Sequence, residues 1–200
     1  MKVGITGGIG SGKSYVCRVL KAQGIEVFDC DTEAKRLMRN SAELRQQLTA
    51  LIGPDTYAPD GTLNKAAVAK FLLASPSNAK AIDAIVHPAV FEAFRQSGLN
   101  YMESAILFES GANVLVDKVI VVIAPKEVRL QRVMQRDGIS REQALQWMGR
   151  QLPQQEVISK ADFVLINDGE ADIDNQINKI IKQCINSNRT WSNNSLAILS

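Results

Sequence analysis

The sequence predicts an α/β fold, with a parallel sheet flanked by helices and a largely helical insertion. Three observations predict it. A short apolar stretch at residues 2–6 runs into a glycine-rich loop and then a helical pattern, which is how a parallel α/β sheet starts. The apolar runs at 101–108 and 119–124 are continuous, as in strands covered on both faces. Between about 31 and 100 no strand pattern occurs, so that stretch reads as a helical insertion on the α/β core.

The elements follow in chain order. After the first strand a helix spans about 13–23, with Val16, Val19 and Leu20 on one face and Gly24 as its stop. A second strand, 25–28, ends at Asp29-Cys30-Asp31. The insertion carries a helix marked by Ala34, Leu37 and Met38, and a second marked by Leu44, Leu48, Leu51 and Ile52 that Gly53-Pro54 ends. A third is marked by Val68, Phe71 and Leu72, and two more flank His87-Pro88, because a proline disfavours helix in the residue before it. Strands return at 101–108 and 119–124. An arginine-rich helical stretch then runs over 125–151, broken at Asp137-Gly138, and Ser140-Arg141-Glu142-Gln143 reads as a capping box. A last strand, 163–166, precedes the turn Asn167-Asp168-Gly169. A final helix carries Ile173, Ile177, Ile180, Ile181, Cys184 and Ile185 on one side, and the tail 186–200 reads as frayed.

Composition bounds the function. The chain has 200 residues, 46% hydrophobic and 22% charged, with a net charge of +2, which excludes disorder or coiled coil as a whole-chain description. So balanced a charge gives no case for non-specific binding to nucleic acid or membrane. The longest apolar run, 119–124, is far short of the roughly 20 residues that span a bilayer. The three cysteines, Cys17, Cys30 and Cys184, lack disulfide or metal-ligand spacing. With no signal peptide in view at the first residues, a cytoplasmic protein is expected, as a monomer or small homo-oligomer.

Gly7-Gly8-Ile9-Gly10-Ser11-Gly12-Lys13-Ser14 matches G-x-x-x-x-G-K-[ST] between a strand and a helix, the context that gives the motif its meaning. Glycines let backbone N–H groups converge on phosphate oxygens without Cβ clashes. The helix start at Lys13 adds dipole and donors. Lys13 suits the β- and γ-phosphates and Ser14 suits Mg²⁺. A nucleoside triphosphate is therefore expected, with Gly8, Gly10, Ser11, Gly12, Lys13 and Ser14 around it. No Asn-Lys-x-Asp segment supports a GTPase, and no strand ends in a clear Walker-B aspartate.

The acceptor side rests on weaker signals. Asp29 and Asp31 lie past the carboxyl end of the second strand, where open α/β sheets bind ligands. A carboxylate there can accept the proton of an attacking hydroxyl or hold Mg²⁺ through water, or Asp31 simply caps the following helix. His87, the single histidine, is a structural residue or a substrate contact. Glu109 either contacts substrate or simply ends its strand. Arg129, Arg132, Arg136, Arg141 and Arg150 form a basic cluster suited to transferring phosphates, with Arg136 and Arg150 the preferred contacts. Asn167 either touches the adenine edge or belongs to a plain turn. On these residues a small-molecule kinase is favoured. A kinase for a nucleoside monophosphate or sugar acid, and an ATP-binding switch, stay open.

The residues together resemble the dephospho-coenzyme A kinase family. Residues 5–14 look like its opening and Val27-Phe28-Asp29-Cys30-Asp31 like its aspartate-x-aspartate segment. Asp60-Gly61-Thr62-Leu63-Asn64, Ile85-Val86-His87-Pro88, Leu107-Phe108-Glu109, Gln135-Arg136-Asp137-Gly138, Ala161-Asp162 and Asn167 match further landmarks in order, over about residues 1–185. The resemblance implies the fold of the P-loop containing nucleoside triphosphate hydrolases, with a five-stranded parallel sheet, a helical substrate-binding insertion and a lid. The domain plan is then a core at about 1–31, 101–128 and 153–185, an insertion at about 32–100 and a lid at about 129–152. It also implies transfer of the ATP γ-phosphoryl to the ribose 3′-hydroxyl of dephospho-coenzyme A, with Mg²⁺, and Asp31 as the base. Three departures are visible: Tyr15 where threonine is common, which bears on nucleotide contacts, Ala105-Ile106 for a proline-leucine pair, and Cys30 for alanine.

Overall fold

The computed structural model describes the backbone of residues 1–196 and the side chains of residues 1–184. The chain divides into two units, Met1–Val27 with Leu99–Ser200, and Phe28–Gly98. The first strand, β1 (Val3–Thr6), is buried along its whole length. It lies in a five-stranded parallel sheet with β2 (Val27–Asp29), β3 (Tyr101–Glu103), β4 (Lys118–Ile123) and β5 (Phe163–Ile166), in the order β2-β3-β1-β4-β5. Val3 stands opposite Tyr101 on one side and Lys118 on the other, and Ile5 opposite Glu103 and Ile120. From β1 the chain builds outward to one side with β2 and β3, then to the other with β4 and β5. The sheet therefore switches direction at the carboxyl end of β1, the place where such sheets bind ligands.

Helices α1 (Lys13–Ala22) and α9 (Ile173–Leu196) cover one face. Val16 and Leu20 from α1, and Ile173, Ile177, Ile180 and Cys184 from α9, join Val3, Ile5, Ile120, Val122 and Leu165 in one buried cluster. Each such side chain contributes about 1.5–3 kcal/mol on burial. The helix α9 continues to Leu196, past the expected fraying point at 186, and residues 197–200 of that tail lie outside the described residues. Between β4 and β5, α6 (Lys126–Asp137) and α7 (Arg141–Met148) form a hairpin. Gly138, at φ 64°, closes α6, and the Ser140–Gln143 capping box opens α7 as the sequence predicts. Leu130, Val133 and Ala144 are its buried centre, with Met134, Ile139, Leu145, Met148 and Ile9 packed on them. Then follows the short α8 (Gln154–Ser159).

The Phe28–Gly98 unit is helical: α2 (Cys30–Asn40), α3 (Ala42–Ile52), α4 (Lys65–Ala74) and α5 (Ser77–Ser97). Leu44, Leu48, Val86, Val90 and Phe94 are buried, and the Phe28 and Phe94 rings meet at 5.4 Å. The Asp60–Asn64 landmark is a turn held from several sides. Asp60 accepts from the Thr62 amide (2.9 Å) and hydroxyl (2.7 Å), and Arg45 donates to the Gly61 carbonyl at 2.6 Å while stacking on Tyr57. Asn64 then caps α4.

Three expectations need correction. The run 101–108 is not one strand: β3 stops at Glu103 and 105–111 form turns. The apolar run there serves burial, since Leu107 is fully buried over Gly4 of β1, in space that a Cβ would need. Glu109 accordingly does not end a strand. The two helices expected around His87-Pro88 are one, α5, which runs through Pro88. An internal proline costs about 3 kcal/mol, and the buried Val86, Val90 and Phe94, each worth about 1.5–3 kcal/mol, outweigh it. The second strand is displaced to Val27–Asp29, and α2 starts at once with Cys30, so Asp31 lies inside its first turn.

Candidate active site

The loop after β1 is shaped by what surrounds it. A Cβ on Gly10, where φ is +79°, would lie 2.5 Å from the Arg129 carbonyl, and one on Gly12, where φ is +93°, would collide with the Asn167 amide. Only glycine fits either place. A Cβ on Gly8 would meet the Arg129 guanidinium. Gly12 is also the N-cap of α1 and brings no side-chain acceptor to the first turn, which holds no acidic residue. The first N–H groups of α1 thus open toward an anion, with the helix dipole behind them. Lys13 donates to the Gly7 carbonyl at 2.8 Å, and its ammonium is 3.8 Å from the Glu103 carboxylate. Ser11 is fully buried and its hydroxyl has no hydrogen-bond partner. Tyr15, the departure noted in sequence, is exposed, with Arg18 over its ring at 5.6 Å.

Two arginines of α6 grip the loop. Arg129 is 7% exposed; its Nε donates to the Ile9 carbonyl at 2.9 Å and one Nη to Gln154 Oε1 at 3.3 Å. Burial pushes its guanidinium below its ordinary pKa, because the charged form loses hydration. Arg132 donates to the Asn167 carbonyl (2.9 Å), to Asn167 Oδ1 (3.4 Å) and to the Gly10 carbonyl (3.4 Å). Arg136, preferred from sequence, instead holds Asp137 through two bonds of 2.9 and 2.7 Å on the exposed side. That hydrogen-bonded pairing raises the Arg136 pKa and lowers that of Asp137. Arg150 is exposed in the turn after α7. Asn167, expected at the adenine edge, is buried against the loop and its Nδ2 donates to the Ser11 carbonyl at 2.9 Å.

Glu109 accepts from the Leu152 amide at 3.1 Å. In the helical unit Asp29 caps α2: its two oxygens take the Thr32 amide (2.9 Å) and hydroxyl (2.8 Å). The capping role left open for Asp31 thus falls to Asp29, and Asp31 is exposed in the first turn of α2. His87 lies 3.7 Å from Asp83 and stacks on Phe91 within α5.

Sequence reasoning missed Glu103 and Gln151. Glu103 ends the strand beside β1, but the longer strand assumed there hid that end. Gln151 accepts from the Ile9 amide at 2.7 Å and donates to the Ala105 carbonyl at 3.2 Å, and no spacing rule marks a lone glutamine in a turn.

A family model described as CoaE, Dephospho-CoA kinase, matches residues 1–172. The chain is similar to a Dephospho-CoA kinase of Bacteroides fragilis, at 40% identity over 188 residues, covering 90% of this chain and 91% of that one. The structure is similar to the crystal structure of TT1252 from Thermus thermophilus, with a TM-score of 0.80 and 33% identity, over 92% of this chain and 96% of that one. A Dephospho-CoA kinase from Campylobacter jejuni shares the fold, with a TM-score of 0.65 at 24% identity over 94% of this chain and all (100%) of that one. The chain belongs to the dephospho-CoA kinase family.

Proposed function

We propose that the protein transfers the γ-phosphoryl group of ATP to the ribose 3′-hydroxyl of dephospho-coenzyme A. The observation that carries this reading is the glycine-only loop at the switch point of the sheet, in a chain of this family. The loop amides and the start of α1 bind the phosphates, and Lys13 spreads the charge of the transferring group. Arg129 and Arg132 hold the loop in its binding shape. Arg150, exposed at the end of the hairpin, is free to reach the nucleotide, and Arg136 would first have to leave Asp137. Asp31 orients and deprotonates the ribose hydroxyl. Its freedom from the capping bond supports that role, since Asp29 already closes the helix end.

The donor set fits magnesium. A hydroxyl and a carboxylate suit it, since magnesium characteristically takes one or two protein oxygens with substrate phosphates and water. Ser14 and Glu103 would hold it, and it would neutralise charge between the β- and γ-phosphates. The Phe28–Gly98 unit would hold the rest of the acceptor. It has a cleft of about 410 Å³ lined by Arg36, Gln47, Pro88, Glu92 and Gln96 among others. The segment at 129–152 serves as the lid, excluding water so that ATP is not hydrolysed. No helix among the described residues is long and apolar enough to cross a membrane.

The test is ADP release from ATP–Mg²⁺ with and without dephospho-coenzyme A, with the product weighed. Acceptor-dependent release and a product heavier by one phosphate are expected. ATP binding without stimulation by this acceptor would sink the substrate assignment.

A further inference from the structure

Ile9, at the crest of the phosphate loop, is held in three ways. Its side chain packs into the α6–α7 cluster around Leu130, Val133 and Ala144. Its carbonyl accepts from Arg129 of α6. Its amide donates to Gln151, in the turn between α7 and α8. The orientation of the Gln151 carboxamide is forced by its partners: a peptide N–H only donates and the Ala105 carbonyl only accepts, so Oε1 faces Ile9 and Nε2 faces Ala105. The backbone under Gln151 is fixed as well. Its amide donates to the Met148 carbonyl, and the next amide, of Leu152, donates to Glu109. Gln154, three residues on, accepts from Arg129 and so closes the ring.

We propose that Gln151 is a positioning residue for the phosphoryl donor. It does not touch ATP. It fixes the Ile9 peptide, and through it the direction of the amides from Gly10 to Lys13 that receive the phosphates. Because Gln151 follows directly on the α6–α7 hairpin, the loop takes its phosphate-binding shape when that hairpin is seated. ATP affinity and hairpin seating are then coupled at the Ile9 peptide, where the Gln151 carboxamide takes the amide and Arg129 takes the carbonyl. This rests on ATP as the donor and is independent of which acceptor is used.

The test replaces Gln151 with methionine, which keeps the length and removes both hydrogen bonds. Losing bonds of this kind predicts about tenfold weaker ATP binding, measured without acceptor. AMP, which has no β- and γ-phosphates, should bind within about twofold of the parent protein. The Ile9 amide should exchange its hydrogen about tenfold faster, and KM for the acceptor should not change. A merely structural role for Gln151 would weaken ATP and AMP alike, and that result would overturn the proposal. So would unchanged ATP affinity. Should Gln151→Met fail to fold, the same ATP-to-AMP comparison is read in Gln151→Asn, whose shorter carboxamide reaches one of the two partners at a time.

Discussion

Asn167 donates its side-chain amide to the Ser11 carbonyl across 2.9 Å, joining the end of β5 to the phosphate loop. Its backbone amide donates to Ile123 at 2.8 Å, and Arg132 donates to its carbonyl at 2.9 Å. One buried residue thus ties two strand ends, a helix and the loop. Asn167→Leu keeps the volume and leaves the Ser11 carbonyl without this donor in a buried place. We expect a loss of about 1–3 kcal/mol in stability, read as a lower urea midpoint at unchanged slope. A midpoint within error of the parent protein would mean that the contact is dispensable.

The loop glycines separate two costs that usually come together. Gly10 and Gly98 both have positive φ, +79° and +69°. A Cβ added at Gly98 would meet nothing within 4 Å, whereas one added at Gly10 would lie 2.5 Å from the Arg129 carbonyl. Gly98→Ala should cost only the left-handed strain, about 1 kcal/mol. Gly10→Ala adds a clash with backbone that no side-chain rotation relieves, so the loop itself must move. We expect ATP affinity to fall more than about tenfold in Gly10→Ala and to stay unchanged in Gly98→Ala. Similar ATP affinities in the two variants would show that the loop tolerates the displacement.

What was legible in the sequence followed from local rules. The loop between strand and helix, the Ser140 capping box and the Ile173–Cys184 stripe each depend on residues a few positions apart. What was not legible depended on distant partners. Residues 104–111 are apolar because Leu107 covers Gly4, not because they pair as a strand. Pro88 sits inside a helix because Val86, Val90 and Phe94 hold that helix by burial. In the site, Arg129 and Gln151 meet Ile9 from 120 and 142 residues away, a distance at which spacing carries no information. That Arg129 meets the loop while Arg136 pairs with Asp137 has the same origin, since burial and distant partners decide it.

Asp162 offers a pH-dependent measure of the sheet edge. Burial pushes its carboxyl up, but the hydrogen bond from Lys118 (2.7 Å) and that from the Val119 amide (2.8 Å) outweigh it and hold it below the usual carboxylate range. A carboxyl depressed in the folded state stabilises it above the unfolded value of about 3.9, and that stabilisation is lost as pH falls through the folded value. Asp162 is partly exposed, so the effect is modest. Asp162→Asn should lower stability by about 1 kcal/mol at pH 7. The gap between variant and parent should narrow as pH falls below the unfolded value and close as pH falls through the lower folded value, where the parent carboxyl is protonated too. A gap of constant size from pH 7 to pH 3 would rule out the ionised form as its source.

Lys13 and Asp31 are assigned different tasks, and their variants should fail differently. Lys13 is held between the Gly7 carbonyl and Glu103 at the mouth of the loop, so Lys13→Ala removes charge that both bound ATP and the transferring group require. It should weaken ATP binding and lower turnover by at least about a hundredfold. Asp31 lies in the first turn of α2, where Asp29 has already taken the cap. Asp31→Asn keeps the shape and removes the carboxylate proposed as the base. It should lower turnover by at least about a hundredfold while ATP affinity and the circular dichroism spectrum stay as in the parent. Near-normal turnover in a folded Asp31→Asn protein would remove Asp31 from this role.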